Sequence, residues 1–203
     1  MLTSEKIVLE SLWIEQFLTK QNLWDKIHKV VVDVGCGTPF HESISRTFIE
    51  NFEFEGILID ALESNIDENL LHYMGYLVRC VCAVVSDKEQ DVYFHEDSRH
   101  WSLSSIREGQ PNRRTSLLSK ILDALGVKEI GIMSVDLEGM ETPVLIDLLA
   151  NDIRPQILVV ESNEDPSDPW KLAKEHRMLL EPYYGRPVGV VAPNQIFIRN
   201  DLK

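Results

Sequence analysis

The chain has 203 residues, 44% of them apolar, enough for a packed core and too many for a disordered chain. No apolar run reaches the roughly 18–20 residues that cross a bilayer, and the first residues lack the basic-then-apolar layout of a secretion signal. A formal net charge of −13 repels phosphate backbones, so the sequence argues against nucleic acid and membrane as partners.

In chain order, residues 4–19 place Ile7, Val8, Leu12, Ile14, Phe17 and Leu18 at helical spacing behind Ser4 as a cap. Trp13 and Trp24 read as packing this N-terminal helix onto a sheet. A strand at 29–34 leads to a helix at 42–51, and a strand at 56–59 leads to a helix at 64–74 capped by Ser64 or Asn65. The run 77–85 reads as one long strand. Residues 91–95 alternate and suit an edge strand or hairpin arm, while 107–114 reads as a solvated polar loop carrying Arg113 and Arg114. A helix at 115–125 stops at Gly126. A strand at 130–135 is followed by a helix at 140–149 that tolerates Pro143 only in its first turn. The strand at 156–161 precedes a helix at 168–180 with Pro169 near its start, and a last strand lies at 195–199.

These strands are nearly continuous in apolarity, as strands buried on both faces are, and they alternate with helices. The pattern predicts parallel βαβ units in a doubly wound sheet, whose ligands bind at the carboxyl ends of the strands. No repeat or linker divides the chain. The expectation is one domain over 1–203, with 1–27 a helical extension and 28–199 a cofactor-binding core. Cys36, Cys80 and Cys82 fit neither a zinc spacing nor a disulfide framework. They read as reduced, mostly buried thiols, and the expected location is the cytoplasm.

Four strand ends concentrate chemistry. The first carries Asp33-Val34-Gly35-Cys36-Gly37, an acid and two glycines that suit close backbone approach to a cationic ligand. Phe40 stands where a dinucleotide fingerprint would need its third glycine, which argues against an NAD enzyme. The second ends at Asp60, placed to accept hydrogen bonds from ribose hydroxyls, with Ala61 beside it. The fourth runs into Asp136-Leu137-Glu138-Gly139-Met140-Glu141, of which Glu141 suits a helix start. The fifth ends Glu161-Ser162-Asn163. Asp136, Glu161 and Asn163 would converge there, either as ligands of a hard cation such as Mg²⁺ or as an acidic, hydrogen-bonding floor.

The segments VVDVGCG, ILID, CAVVSD, VDLEGME, VVES and NQIF, in this order over about residues 28–199, resemble the FkbM-type family of S-adenosylmethionine-dependent methyltransferases. The resemblance implies an α/β, Rossmann-like class I methyltransferase fold. Its sheet would have seven mostly parallel strands with an antiparallel last strand, and helices on both faces. Asp33, Gly35, Cys36 and Gly37 would line the methionine end of S-adenosyl-L-methionine and Asp60 with Ala61 the ribose. Cys82 and Ala83 would lie near adenine, and Asp136 beside the methyl donor. The chain departs from the family's usual pattern at Thr38-Pro39-Phe40, where a further glycine is common, and at Asp60-Ala61, where Glu-Pro is common.

The resemblance implies methylation of a hydroxyl oxygen on a small molecule or saccharide. Asp136 is the first candidate base, Glu138 a residue that orients the acceptor or holds the turn, and His100 and His41 alternative bases. Residues 97–114, with Trp101, are the expected substrate-recognition segment. The alternative is a degenerate cofactor-binding domain that serves as a partner or regulatory module. The N-terminal helix offers a surface for a homodimer.

Overall fold

A computed structural model describes residues 9–40, 43–96, 105–162, 171–191 and 193–203. Its centre is a seven-stranded sheet in the order β10-β11-β9-β8-β1-β2-β3. The strands are β1 Val30–Val34, β2 Glu55–Asp60, β3 Val78–Cys82, β8 Ile132–Val135, β9 Ile157–Glu161, β10 Gly189–Val191 and β11 Asn194–Ile198. Strands β3, β2, β1, β8 and β9 run parallel, and β11 is inserted antiparallel between β9 and β10. This is the α/β, Rossmann-like methyltransferase sheet that the resemblance implied.

Strand period two divides the core between the two faces. Val31, Leu58, Ile132, Val159 and Ile196 join one apolar cluster with residues of α1 Leu9–Gln21 and α2 Ile44–Phe52. Tyr73, directly after α3 Glu63–His72, belongs to the same side. Val32, Val34, Ile57, Ile59, Met133, Leu158 and Phe197 point the other way. They meet α4 Leu118–Ala124, α5 Glu141–Ala150 and α6 Lys171–Tyr184. Trp13 and Trp24 pack against the first cluster, stacked on Phe17 and Phe52 respectively.

Several expectations are corrected. The run 77–85 is two strands. After β3 the chain leaves the large sheet at Ala83, whose N–H donates to the Asp60 carbonyl (2.8 Å), and β4 Val84–Ser86 enters a second sheet. That sheet, in the order β4-β7-β5-β6, also contains β5 Asp91–His95, β6 Ser105–Arg107 and β7 Arg113–Leu117. The segment 107–114 is therefore the end of one strand, a turn and the start of another, and α4 begins only at Leu118. Polar residues suit these strands because one face is solvated. Helix α6 runs on to Tyr184 through Pro182. Cys82 is exposed and Cys80 half-buried, so only Cys36 is the buried thiol expected. Among the described residues no helix is long and apolar enough to cross a membrane.

Candidate active site

The carboxyl ends of β1, β2, β8 and β9 open on a cavity of about 400 Å³. It lies where the chain, having built outwards from β1 through β2 to β3, crosses back to β8 on the other side of β1. Such a switch in strand order leaves a crevice between helices on opposite faces. The small sheet closes one wall. Phe94 and Ile106 face the cavity beside Leu62, Ala83 and Val84, giving it an apolar side. The lining also includes Asp136, Glu138 and Glu161, with Asp60 at the end of β2 and Asn65 in the first turn of α3.

Gly35 holds the floor together. Its N–H donates to the Ile59 carbonyl (2.8 Å), Asp136 N–H donates to the Val34 carbonyl (3.0 Å), and the turn is wedged between β2 and β8. A Cβ on Gly35 would lie 1.7 Å from the Asp136 carbonyl oxygen, and its φ is +79°. Only glycine fits that space and that conformation.

The two strand-end aspartates do different work. Asp33 shares the face of Val31, towards α2, and there its carboxylate accepts from Ser45 Oγ (2.7 Å), Ser45 N–H (3.3 Å) and Ser43 Oγ (3.3 Å). Burial is the main cause that raises its pKa to about 6. Asp60 accepts from Gly37 N–H (2.9 Å), Leu62 N–H (2.8 Å) and Asn65 Nδ2 (3.1 Å). It thus ties the glycine turn to the start of α3, and burial raises its pKa despite these donors. Asn69 completes the tie by donating to the Gly37 carbonyl (2.8 Å).

The acidic wall follows from register. Val135 pairs with Val160 across parallel strands, so the next residues, Asp136 and Glu161, stand side by side at the carboxyl ends of β8 and β9. The chain then turns through Glu138 (φ 52°) and Gly139 (φ 103°). Glu141, buried at the start of α5, fastens this turn by accepting from Leu137 N–H (2.8 Å) and Gly139 N–H (3.1 Å). One carboxylate oxygen each of Asp136, Glu138 and Glu161 lies within 4.8 Å of the others. Burial, reinforced by the Asp136 and Glu141 charges, raises the Glu138 pKa to about 7. Burial and the adjoining Asp136 push the Glu161 carboxyl well above the carboxylate range.

Of the residues singled out in the sequence, the cavity wall brings together Gly35, Asp60, Ala61, Ala83, Asp136, Glu138 and Glu161. Asp33, Cys36, Gly37 and Cys82 are not among the residues that line it. Cys36 is buried against Asn69, and burial raises its thiol pKa. The Cys82 thiol lies 3.6 Å from the Ala61 carbonyl. His41, His100, Trp101 and Asn163 fall outside the described residues. Phe94 and Ile106 were not singled out; only the alternation over 91–95 hinted at a packed face. Met140 also lines the cavity, and Met178 is exposed.

Behind Glu161, His176 of α6 is fully buried, its ring nitrogens 3.3 Å from Ser162 Oγ and 3.0 Å from Thr142 Oγ1. Gln195 Nε2 donates to the same Ser162 hydroxyl (3.0 Å). Burial lowers the His176 pKa from 6.5 to about 4. The unfolded chain therefore binds the proton more readily. The stability contributed by neutral His176 is complete above pH 6.5 and is lost as pH falls towards 4, roughly 3 kcal/mol in all. Urea unfolding at pH 7 and pH 4.5 checks this: the wild type loses more stability between the two than His176→Gln, in which that proton site is gone. Equal losses would contradict it.

Comparison with known proteins bears on this geometry. The family model of the methyltransferase FkbM domain matches residues 61–186, well over half of the chain. The chain belongs to the FkbM methyltransferase family. The matched span begins just after Asp60 and includes Ala83, the small sheet and the whole acidic wall. Two solved structures share the fold of this methyltransferase at low identity. WbdD, a bifunctional kinase–methyltransferase, is 13% identical with a TM-score of 0.51 over 96% of this chain. The FkbM-type chain spans 40% of the length of that WbdD chain. A methyltransferase from Geobacter sulfurreducens is 15% identical with a TM-score of 0.50, covering 98% of this chain and 91% of its own. No curated protein sequence matches the chain.

Proposed function

We propose that this FkbM-family methyltransferase moves the methyl group of S-adenosylmethionine to a hydroxyl oxygen of a small molecule or saccharide. The observation that carries the reading is the charge of the cavity. Its charged lining among the described residues is carboxylate only, namely Asp60, Asp136, Glu138 and Glu161. Such a wall suits a cofactor that carries an ammonium and a sulfonium, and the volume of about 400 Å³ falls in the range of small-molecule sites. The apolar side made by Leu62, Ala83 and Phe94 suits a flat base, and Asp60 at the end of β2 suits ribose hydroxyls.

When bound, S-adenosylmethionine supplies an electrophilic methyl carbon: the acceptor oxygen–carbon bond forms as the carbon–sulfur bond breaks, and the thioether leaves with the electron pair. Asp136 stands at the cavity end of β8 and accepts the proton of the acceptor hydroxyl, so the oxygen attacks as it loses its hydrogen. Glu138 orients the acceptor from the same turn. Gly35 keeps the floor flat enough for in-line approach, and the small sheet keeps water out.

The test is transfer of labelled methyl from S-adenosylmethionine to a panel of sugars and hydroxylated natural products. The reading expects label that survives mild base, as a methyl ether does. Label released by base would mean a carboxyl acceptor and overturn the hydroxyl assignment.

A further inference from the structure

The acidic wall of the cavity contains more carboxyl groups than a single proton acceptor requires. We infer that Asp136, Glu138 and Glu161 form a site for one hard divalent cation, with oxygen ligands only. Its location stands on geometry, and its part in methyl transfer rests on the function proposed above.

Three observations meet here. The first is spacing. Oxygens around an octahedral Mg²⁺ at about 2.1 Å are about 3 Å apart as neighbours and about 4.2 Å apart when opposite, and Ca²⁺ spreads them somewhat further. The three carboxylate oxygens already lie within 4.8 Å of one another, so small side-chain rotations complete the arrangement. The second is Glu161 itself. It is 8% exposed and lines the cavity, its carboxyl shares a proton-bearing hydrogen bond with Asp136 that a cation would replace, and its Oε2 is buried with no N–H or O–H donor supplied to it. A buried acceptor left unsatisfied is costly, and a metal ion supplies what no neighbouring donor does. The third is the support behind the ligands. Register aligns Asp136 with Glu161, and Glu141 grips the Leu137 and Gly139 amides so that Glu138 turns back to the same point. Among the described residues no sulfur or imidazole belongs to the cluster, and an all-oxygen set selects hard cations over soft ones.

Three protein oxygens leave coordination positions for water and for the acceptor hydroxyl. A cation there fixes the hydroxyl in place and makes its proton easier to lose. Glu138, on the β8 side, completes the set with Asp136 and Glu161, while Asn163, the third ligand expected from the sequence, lies outside the described residues.

Manganese is the probe, because loss of the free Mn²⁺ paramagnetic signal counts bound ions without an activity assay. The full chain is expected to bind one Mn²⁺, displaced by Mg²⁺. Glu161→Gln is expected to weaken binding by about tenfold or more. Circular dichroism checks that the variant folds, and Glu138→Gln, at an exposed position, gives an independent loss should Glu161→Gln not fold. Absence of stoichiometric Mn²⁺ binding, or binding unchanged in the folded variants, overturns the site. A parallel titration with S-adenosylmethionine in chelator separates the two ideas. Cofactor binding without Mn²⁺ binding sinks the cation site alone, and Mn²⁺ binding without cofactor binding sinks the methyl-transfer reading alone.

Discussion

Asp136→Asn is expected to lower turnover by about 100- to 10,000-fold at saturating S-adenosylmethionine, the range for loss of a positioned general base. Cofactor binding should stay within about tenfold, because the remaining carboxylates keep the cavity acidic. Stability should not fall, since the substitution removes one of three carboxylates that oppose one another within 4.8 Å. Single-turnover rates at saturating cofactor, with thermal melts alongside, give all three quantities. Turnover within about fivefold of wild type would remove Asp136 from the chemistry.

Gly35→Ala is expected to cost roughly 2–5 kcal/mol, a large part of the roughly 5–15 kcal/mol that holds a domain together. Two effects add. The new methyl group meets the Asp136 carbonyl at 1.7 Å, so β1 and β8 must separate, and a φ of +79° strains any L side chain. Separation of those strand ends also carries Asp136 away from Glu161. Gly75→Ala is the internal comparison. Its φ is +97°, but nothing lies within 4 Å of the new Cβ, so it bears the backbone cost alone, about 1–2 kcal/mol. Urea unfolding of the two variants should differ clearly. Equal costs would mean that the close approach of Gly35 to Asp136 relaxes freely.

The central sheet was legible because burial on both faces writes continuous Val and Ile runs, and those runs need no knowledge of partners. The second sheet was not. Its strands are short and partly solvated, and one of them is the continuation of an apolar run that changes sheets at Ala83, where nothing in local composition marks the break. Asp33 shows the limit for single residues. Its position at a strand end was readable. Its direction depends on counting from Val31 to the α2 face, and its partners, Ser43 and Ser45, become visible only in three dimensions. Asp60 was read as a ligand residue alone, yet it also fastens the turn at Gly37. The acidic wall was half legible. The convergence of Asp136 and Glu161 at neighbouring strand ends was expected, and Glu138 joins them through a turn that Glu141 fastens from the start of α5.

The most direct measurement is isothermal titration of the folded chain with S-adenosylmethionine and S-adenosylhomocysteine. The account predicts micromolar binding of both. Asp60→Ala should weaken it by about 10- to 100-fold, corresponding to roughly 1–3 kcal/mol for a buried polar partner left unmade, with the fold intact by circular dichroism. Failure of the folded wild type to bind either compound would contradict the assignment of this cavity as the methyl-donor site.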